Sequence, residues 1–254
     1  MNVAMMQPSF LPWLGYFELI YKSDTFILLD DFQFSVQSYH QRNRLFVNKG
    51  QVDWYTVPIK KSSSFQMPLN ETQINEDIPW RIKSWKRIQQ NYGKAQYYKP
   101  HADSMEQWLL SPAVNLAEQN IAFIKSICEI LGIERVFLKS SEFSSKKQRS
   151  EHVVELLQWA NASSYYCANG SFDYMFQDHV FPTGDVEVLF QNYTPKPYPQ
   201  VGSPDKFIPY LCVLDALFNI GPDKTLTLVK EGTSEWLTWG KMVSKHLEES
   251  GEKS

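Results

Sequence analysis

The chain of 254 residues carries 25 lysines and arginines against 28 aspartates and glutamates, a net charge of −3. That balance offers no basic field for nucleic acid, and no apolar run approaches the roughly 20 residues that cross a bilayer. Hydrophobic residues at 43% and charged residues at 21% exclude disorder and describe a chain able to bury a large core.

In chain order, Asn2–Met6 reads as a first buried strand. Gln7–Pro12 is bracketed by Pro8 and Pro12 and must be a loop, with Pro12 placed to open a helix running to Lys22. In that helix Trp13, Phe17 and Ile20 form one apolar stripe. Thr25–Leu29 is a second strand that ends in the acidic pair Asp30–Asp31. This strand–loop–helix–strand unit predicts parallel strands with ligands at their carboxyl ends.

The middle reads as an inserted mixed region, residues 44–112: strands at Arg44–Asn48 and Trp54–Ile59, a polar surface loop at Lys60–Ser64, and helices at Pro79–Gln90 and Asp103–Leu110. Alternation then returns. A capped helix at Asn115–Leu131 stops at Gly132, and a strand follows at Arg135–Lys139. The remainder is a helix at Ser150–Asn161, strands at Ser164–Cys167 and Val186–Phe190, and a helix at Phe207–Asn219 stopped by Gly221–Pro222. A single α/β domain over 1–247 with a frayed tail at 248–254 is expected.

The first residues lack a basic segment leading into an apolar one, so no secretion signal is expected. The three cysteines and five histidines are scattered, without a disulfide framework or metal-ligand spacing. A reduced, cytoplasmic protein with no metal and no cofactor is expected, one that neither binds nucleic acid nor enters a membrane.

Several residues carry candidate chemistry, each with a plainer structural reading beside it. Gln7 stands just past a buried strand, where such folds bind ligands, or it satisfies nearby backbone. Strict alternation sends Asp30 and Asp31 to opposite faces, so one faces the crevice as a general base for an attacking amine and the other caps or is solvated. Gln33 would share a face with Asp31. Arg42 and Asn43, with Arg44, form a clamp for phosphate or carboxylate, or a solvated turn. Tyr16 offers a ring for stacking a sugar, whereas Trp13, Trp80 and Trp85 read as core. Tyr198 and Gln200 lie in a Pro-rich loop after the last strand, and Asp215 needs a partner within its apolar helix. His40 reads as a surface histidine. Cys167 is a candidate thiol nucleophile with no histidine placed beside it.

The run Gln7-Pro8-x-Phe10-Leu11-Pro12-Trp13-Leu14-Gly15-Tyr16-Phe17 resembles the opening signature of the WbqC-like family. Further matches follow at Asp30-Asp31-x-Gln33-Phe34, Arg42-Asn43-Arg44, Thr56-Val57-Pro58, Asn115-Leu116-Ala117, Tyr198-Pro199-Gln200, and Phe207-Ile208-Pro209 leading to Asp215 and Asn219. Two positions depart from the family pattern: Ser84 stands where a histidine is usual, and Cys167-Ala168-Asn169-Gly170 where Ser-Gly-Pro-Gly is usual. The resemblance implies a place in O-antigen or other surface-polysaccharide biosynthesis, with transfer of an acyl or aminoacyl group, glycyl included, to an amino sugar. The partners so implied are a nucleotide-linked sugar and an activated acyl donor, free or carrier-bound. The fold also resembles the Rossmann-like nucleotidylyltransferase scaffold, a parallel sheet covered by helices, but Trp13-Leu14-Gly15-Tyr16 replaces its His-x-Gly-His. Aromatic rings cannot take over the charge stabilisation that those histidines give. Two readings stand beside transfer: ATP-dependent ligation through an adenylate on the same scaffold, and a non-catalytic sugar-binding module.

Overall fold

The computed structural model describes residues 1–48, 50–63 and 67–250. The chain runs β1 (Asn2–Met6), α1 (Leu14–Lys22), β2 (Thr25–Leu28), β3 (Arg42–Asn48), β4 (Gln51–Thr56), α2 (Trp80–Tyr92), α3 (Tyr98–Leu110) and α4 (Leu116–Ile130). It continues β5 (Val136–Lys139), α5 (Arg149–Trp159), β6 (Ser164–Cys167), α6 (Ser171–Asp178), β7 (Glu187–Phe190), α7 (Val213–Lys230), β8 (Leu237–Thr238) and α8 (Trp239–Ser250).

Six strands form one sheet in the order β5-β2-β1-β6-β7-β8. All neighbours are parallel except β8, which runs antiparallel to β7. This is a Rossmann-like α/β fold. From β1 the chain builds outward through β2 to β5, then returns to build the other way through β6 to β7. Crossovers of constant hand therefore put α1 and α4 on one face and α5 and α6 on the other. Between β1 and β6 the direction of building reverses, and that is where such sheets open a crevice.

Pleating feeds both cores from the same strands. Ala4, Phe26 and Leu28 pack with α1, α4 and α7, while Val3, Met5 and Ile27 pack with α5, α6 and α8. The antiparallel pair β3–β4 stands outside the main sheet. Its Leu45, Phe46 and Tyr55 join the first core together with Trp85, Ile88 and Tyr92 of α2. Among the described residues no helix is long and apolar enough to cross a membrane.

Several boundaries differ from the sequence expectation. Pro12 stays in the loop, where its carbonyl accepts from the Val213 amide, and α1 begins two residues later with Trp13 as its extended cap. The helix expected at Phe207–Asn219 begins only at Val213, because Tyr210 takes a left-handed φ of 59° and Cys212 caps the first turn. Gly221, read as a stop, is instead a break with φ 79° and ψ 173°, after which helical turns resume to Lys230. The helix α6, the strand β8 and the helix α8 were not anticipated. Residues 248–250, expected to be frayed, complete α8, whereas 251–254 lie outside the described residues. The expected loop at Lys60–Ser64 contains a helical turn at Lys61–Ser63, with Ser64 outside the described residues.

Candidate functional site

The loop after β1 is mostly interior. Pro8 to Pro12 are all buried, with Phe10 at 0% and Leu11 at 1% exposure. Burial requires every loop carbonyl to find a donor, and distant side chains supply them. Asn120 Nδ2 donates to Pro8 O at 3.0 Å and Asn43 Nδ2 to Leu11 O at 2.7 Å. The latter bond holds Leu11 in its left-handed conformation, φ 48°. Gln7 marks the only point before Trp13 where the loop reaches solvent.

A histidine fixes Gln7. The Ser35 amide donates to Nδ1 of His40 at 3.3 Å, so the ring proton sits on Nε2 and is donated to Gln7 Oε1 at 3.0 Å. Gln7 Nε2 then donates to Gln33 O at 3.2 Å. Burial pushes the imidazole down to about 4, which keeps it neutral and preserves this orientation at neutral pH.

A cavity of about 600 Å³ opens beside Gln7, at the carboxyl ends of β1 and β2 and the first turns of α5 and α6. Its apolar surfaces come from Met5, Leu29, Phe32 and Tyr165. Its polar lining comes from Gln7, Asp31 and Gln33 in the segments after β1 and β2, and from Lys147, Arg149 and His152 at the start of α5.

Asp30 and Asp31 do not alternate, since β2 ends at Leu28 and both lie in the turn beyond it. Both reach Ser140, in the turn after β5. Asp30 is buried and accepts from the Ser141 amide at 3.0 Å and the Ser141 hydroxyl at 2.8 Å, so it ties the β2 end to the β5 end. Asp31 is half-buried and lines the cavity.

The other residues singled out from sequence lie elsewhere. Tyr16 is buried at 2%, its hydroxyl donating to Gln7 O at 3.3 Å, and desolvation drives the phenol well above its ordinary range. Asn43 is spent on Leu11. Arg42 stacks on Trp54, with the guanidinium carbon 4.2 Å from the ring centre. Tyr198, Gln200 and Asp215 meet in a second cluster, on the α7 side of the sheet. There Asp215, at 0% exposure, accepts from Tyr198 at 2.7 Å, Gln200 at 2.7 Å and Tyr92 at 2.9 Å. Burial pushes this carboxyl up to about 6, against the three donors that pull it down. Cys167 is wholly buried, and desolvation drives its thiol well up, away from the thiolate that a nucleophile needs.

Trp13 is half-buried between Tyr193 and Tyr210, with ring centres 4.9 and 5.3 Å away. Its indole lies so close over Gly15 that a Cβ there would come within 2.3 Å of the ring. The first turn of α1 is thus covered by its own cap residue. Sequence reasoning passed over Lys147, Arg149 and His152. Their signal was the polar, basic run Ser144-Ser145-Lys146-Lys147-Gln148-Arg149-Ser150, which joins the β5 end to α5 on the ligand-binding edge of the sheet.

No solved structure matches the chain significantly. A Mycobacterium tuberculosis protein described as uncharacterized is 30% identical over 224 residues, which is 87% of this chain and 95% of the relative. The WbqC-like protein family matches residues 7–227, from the glutamine at the cavity mouth into the last turns of α7, and the chain belongs to that family.

Proposed function

We propose that this protein is an acyl or aminoacyl transferase, glycyl transfer included, forming an amide on a nucleotide-linked amino sugar for O-antigen or related surface-polysaccharide biosynthesis. The observation that carries this reading is the Asp31 carboxylate on the wall of a mixed polar and apolar cavity at the sheet's switch point. The likeness of the family to proteins of surface-polysaccharide gene clusters supplies the biological setting.

In this mechanism the sugar amine attacks the acyl carbonyl while Asp31 takes the amine proton. The C–N bond forms, the bond to the donor's leaving group breaks, and the proton held on Asp31 passes to that leaving group. Gln7 and Gln33 hydrogen-bond the sugar, with Gln7 held in place by neutral His40. Asp30 is a positioning residue that holds the Asp31 turn against Ser140 and Ser141. Adenylation finds less support, because Trp13 and Tyr16 occupy the places of the missing histidines, one stacked between tyrosines and the other in the core.

The test is amide formation, read by mass spectrometry, with UDP-linked amino sugars and glycyl thioesters. Asp31→Asn is expected to lower turnover by about 10²–10⁴-fold while sugar binding persists. Undiminished turnover in Asp31→Asn contradicts the base assignment. Failure of the wild type to form any amide across the panel contradicts the transfer itself.

A further inference from the structure

The same cavity is lined by three side chains that the transfer reading does not use: Lys147, Arg149 and His152. His152 is 7% exposed, and its Nδ1 lies 3.2 Å from the carbonyl oxygen of Lys147. A carbonyl only accepts, so Nδ1 carries a proton, and in that tautomer Nε2 is a bare acceptor. Nε2 is buried without a hydrogen-bond partner among the described residues. Such groups are rare in folded proteins unless something outside the chain completes them.

Arg149 sits at φ 52°. A bulky side chain seldom adopts that left-handed conformation, and backbone strain of this kind clusters at ligand sites. Its Nε and Nη2 lie 3.1 and 2.8 Å from Asp178, and Nη1 makes no bond of its own among the described residues. Asp178 also accepts from the Ser150 hydroxyl at 2.8 Å and the Ser150 amide at 3.4 Å. The start of α5 is therefore already capped, and what it offers a ligand is side chains rather than a free helix end. Lys147 leans on Glu151 at 3.2 Å, an exposed pair that solvent and ligands readily exchange.

We propose that this wall is a subsite for a phosphorylated sugar. Lys147 and Arg149 donate to phosphate oxygens, and His152 Nε2 accepts from a neighbouring sugar hydroxyl. In that tautomer Nε2 accepts rather than donates, so cations and ring together select a ligand that carries both a phosphate and a hydroxyl. The assignment rests on placing the site in this cavity and holds whether or not acyl transfer is the reaction.

Isothermal titration calorimetry of the full chain with inorganic pyrophosphate and with UDP, whose ribose supplies the hydroxyls, tests it. The wild type is expected to bind both. Lys147→Gln and Arg149→Gln should each weaken both by about tenfold or more. His152→Asn keeps a donor for the Lys147 carbonyl and removes the Nε2 acceptor along with the ring's contact on Phe32. It should weaken UDP and leave pyrophosphate unchanged, a split that a merely structural role would not give. Should Arg149→Gln fold poorly through loss of Asp178, Lys147→Gln decides alone. No binding of either probe by the wild type, or undiminished binding in Lys147→Gln, overturns the subsite, and equal behaviour of the two probes in His152→Asn overturns the sugar assignment. Binding as expected without any amide formation sinks the transfer reading alone, whereas amide formation without binding of either probe sinks the subsite alone.

Discussion

Gln7 owes its orientation to a histidine that follows it by 33 residues, and neither residue alone discloses the pairing. From sequence His40 reads as a surface residue in a polar loop. Its segment folds over the buried Pro8–Pro12 turn, with the Phe10 amide donating to Tyr39 O, and this leaves the imidazole 8% exposed. Replacing it by leucine strands the side-chain oxygen Oε1 of Gln7 at a partly buried position. His40→Leu is expected to lose about 1–3 kcal/mol of stability by urea unfolding and to weaken sugar binding, and turnover with it. A variant as stable and as active as the wild type would show that the relay positions nothing. Asp30 and Asp31 teach a related lesson. Alternation could not choose between them because the strand ends before either, and what separates them is the turn after β5, more than a hundred residues away.

At the scale of elements, the strand–loop–helix–strand opening was legible because two prolines bracket its loop and apolar runs bracket the prolines. The alternating second half was legible for the same reason, each strand being a short apolar run between helical periods. The α7 region misled because Pro209 and Tyr210 precede the helix with apolar neighbours that mimic its spacing, while the left-handed Tyr210 forbids its start. Gly221 was read as a stop because glycine and proline adjoin, yet the helix only breaks there and resumes. Its φ of 79° and ψ of 173° belong to glycine alone, and a Cβ would stand 2.7 Å from the Tyr97 ring. Gly221→Ala should therefore cost about 1–3 kcal/mol or more, seen as a lower urea midpoint at unchanged slope. An unchanged midpoint would mean that the break relaxes freely. The basic run before α5 escaped notice because a polar composition carries little periodic signal, whereas α8 does carry an apolar stripe, Trp239, Met242 and Val243 at i, i+3 and i+4, among its charges.

Across the whole molecule, the hairpin β3–β4 and α2 share one core with α1, α4 and α7. We propose that residues 1–247 unfold as one unit, so two separated transitions in urea would contradict it. Two buried groups then give that unit opposed pH responses. His40 falls from 6.5 to about 4 on folding, so the unfolded chain binds the proton more tightly and stability is lost as pH drops through that window. Asp215 rises from 3.8 to about 6, so the folded chain binds the proton more tightly and stability is lost as pH climbs through that window. Glu18, also raised by burial, adds to the second effect. His101, also lowered by burial, adds to the first effect, so the two responses oppose each other in the wild type. In His40→Leu the remaining slope should be negative, with stability falling by as much as about 1 kcal/mol per pH unit as pH rises. A positive slope in that variant would contradict the assignment of Asp215.

The measurement that tests the central claim most directly is a crystal structure with a UDP-linked amino sugar. The account predicts the sugar amine beside Asp31 at the carboxyl ends of β1 and β2, with the diphosphate against Lys147 and Arg149. A ligand seated instead on Trp13 and Tyr210, or beside Tyr198 and Asp215 on the far side of the sheet, with the cavity vacant, would contradict it.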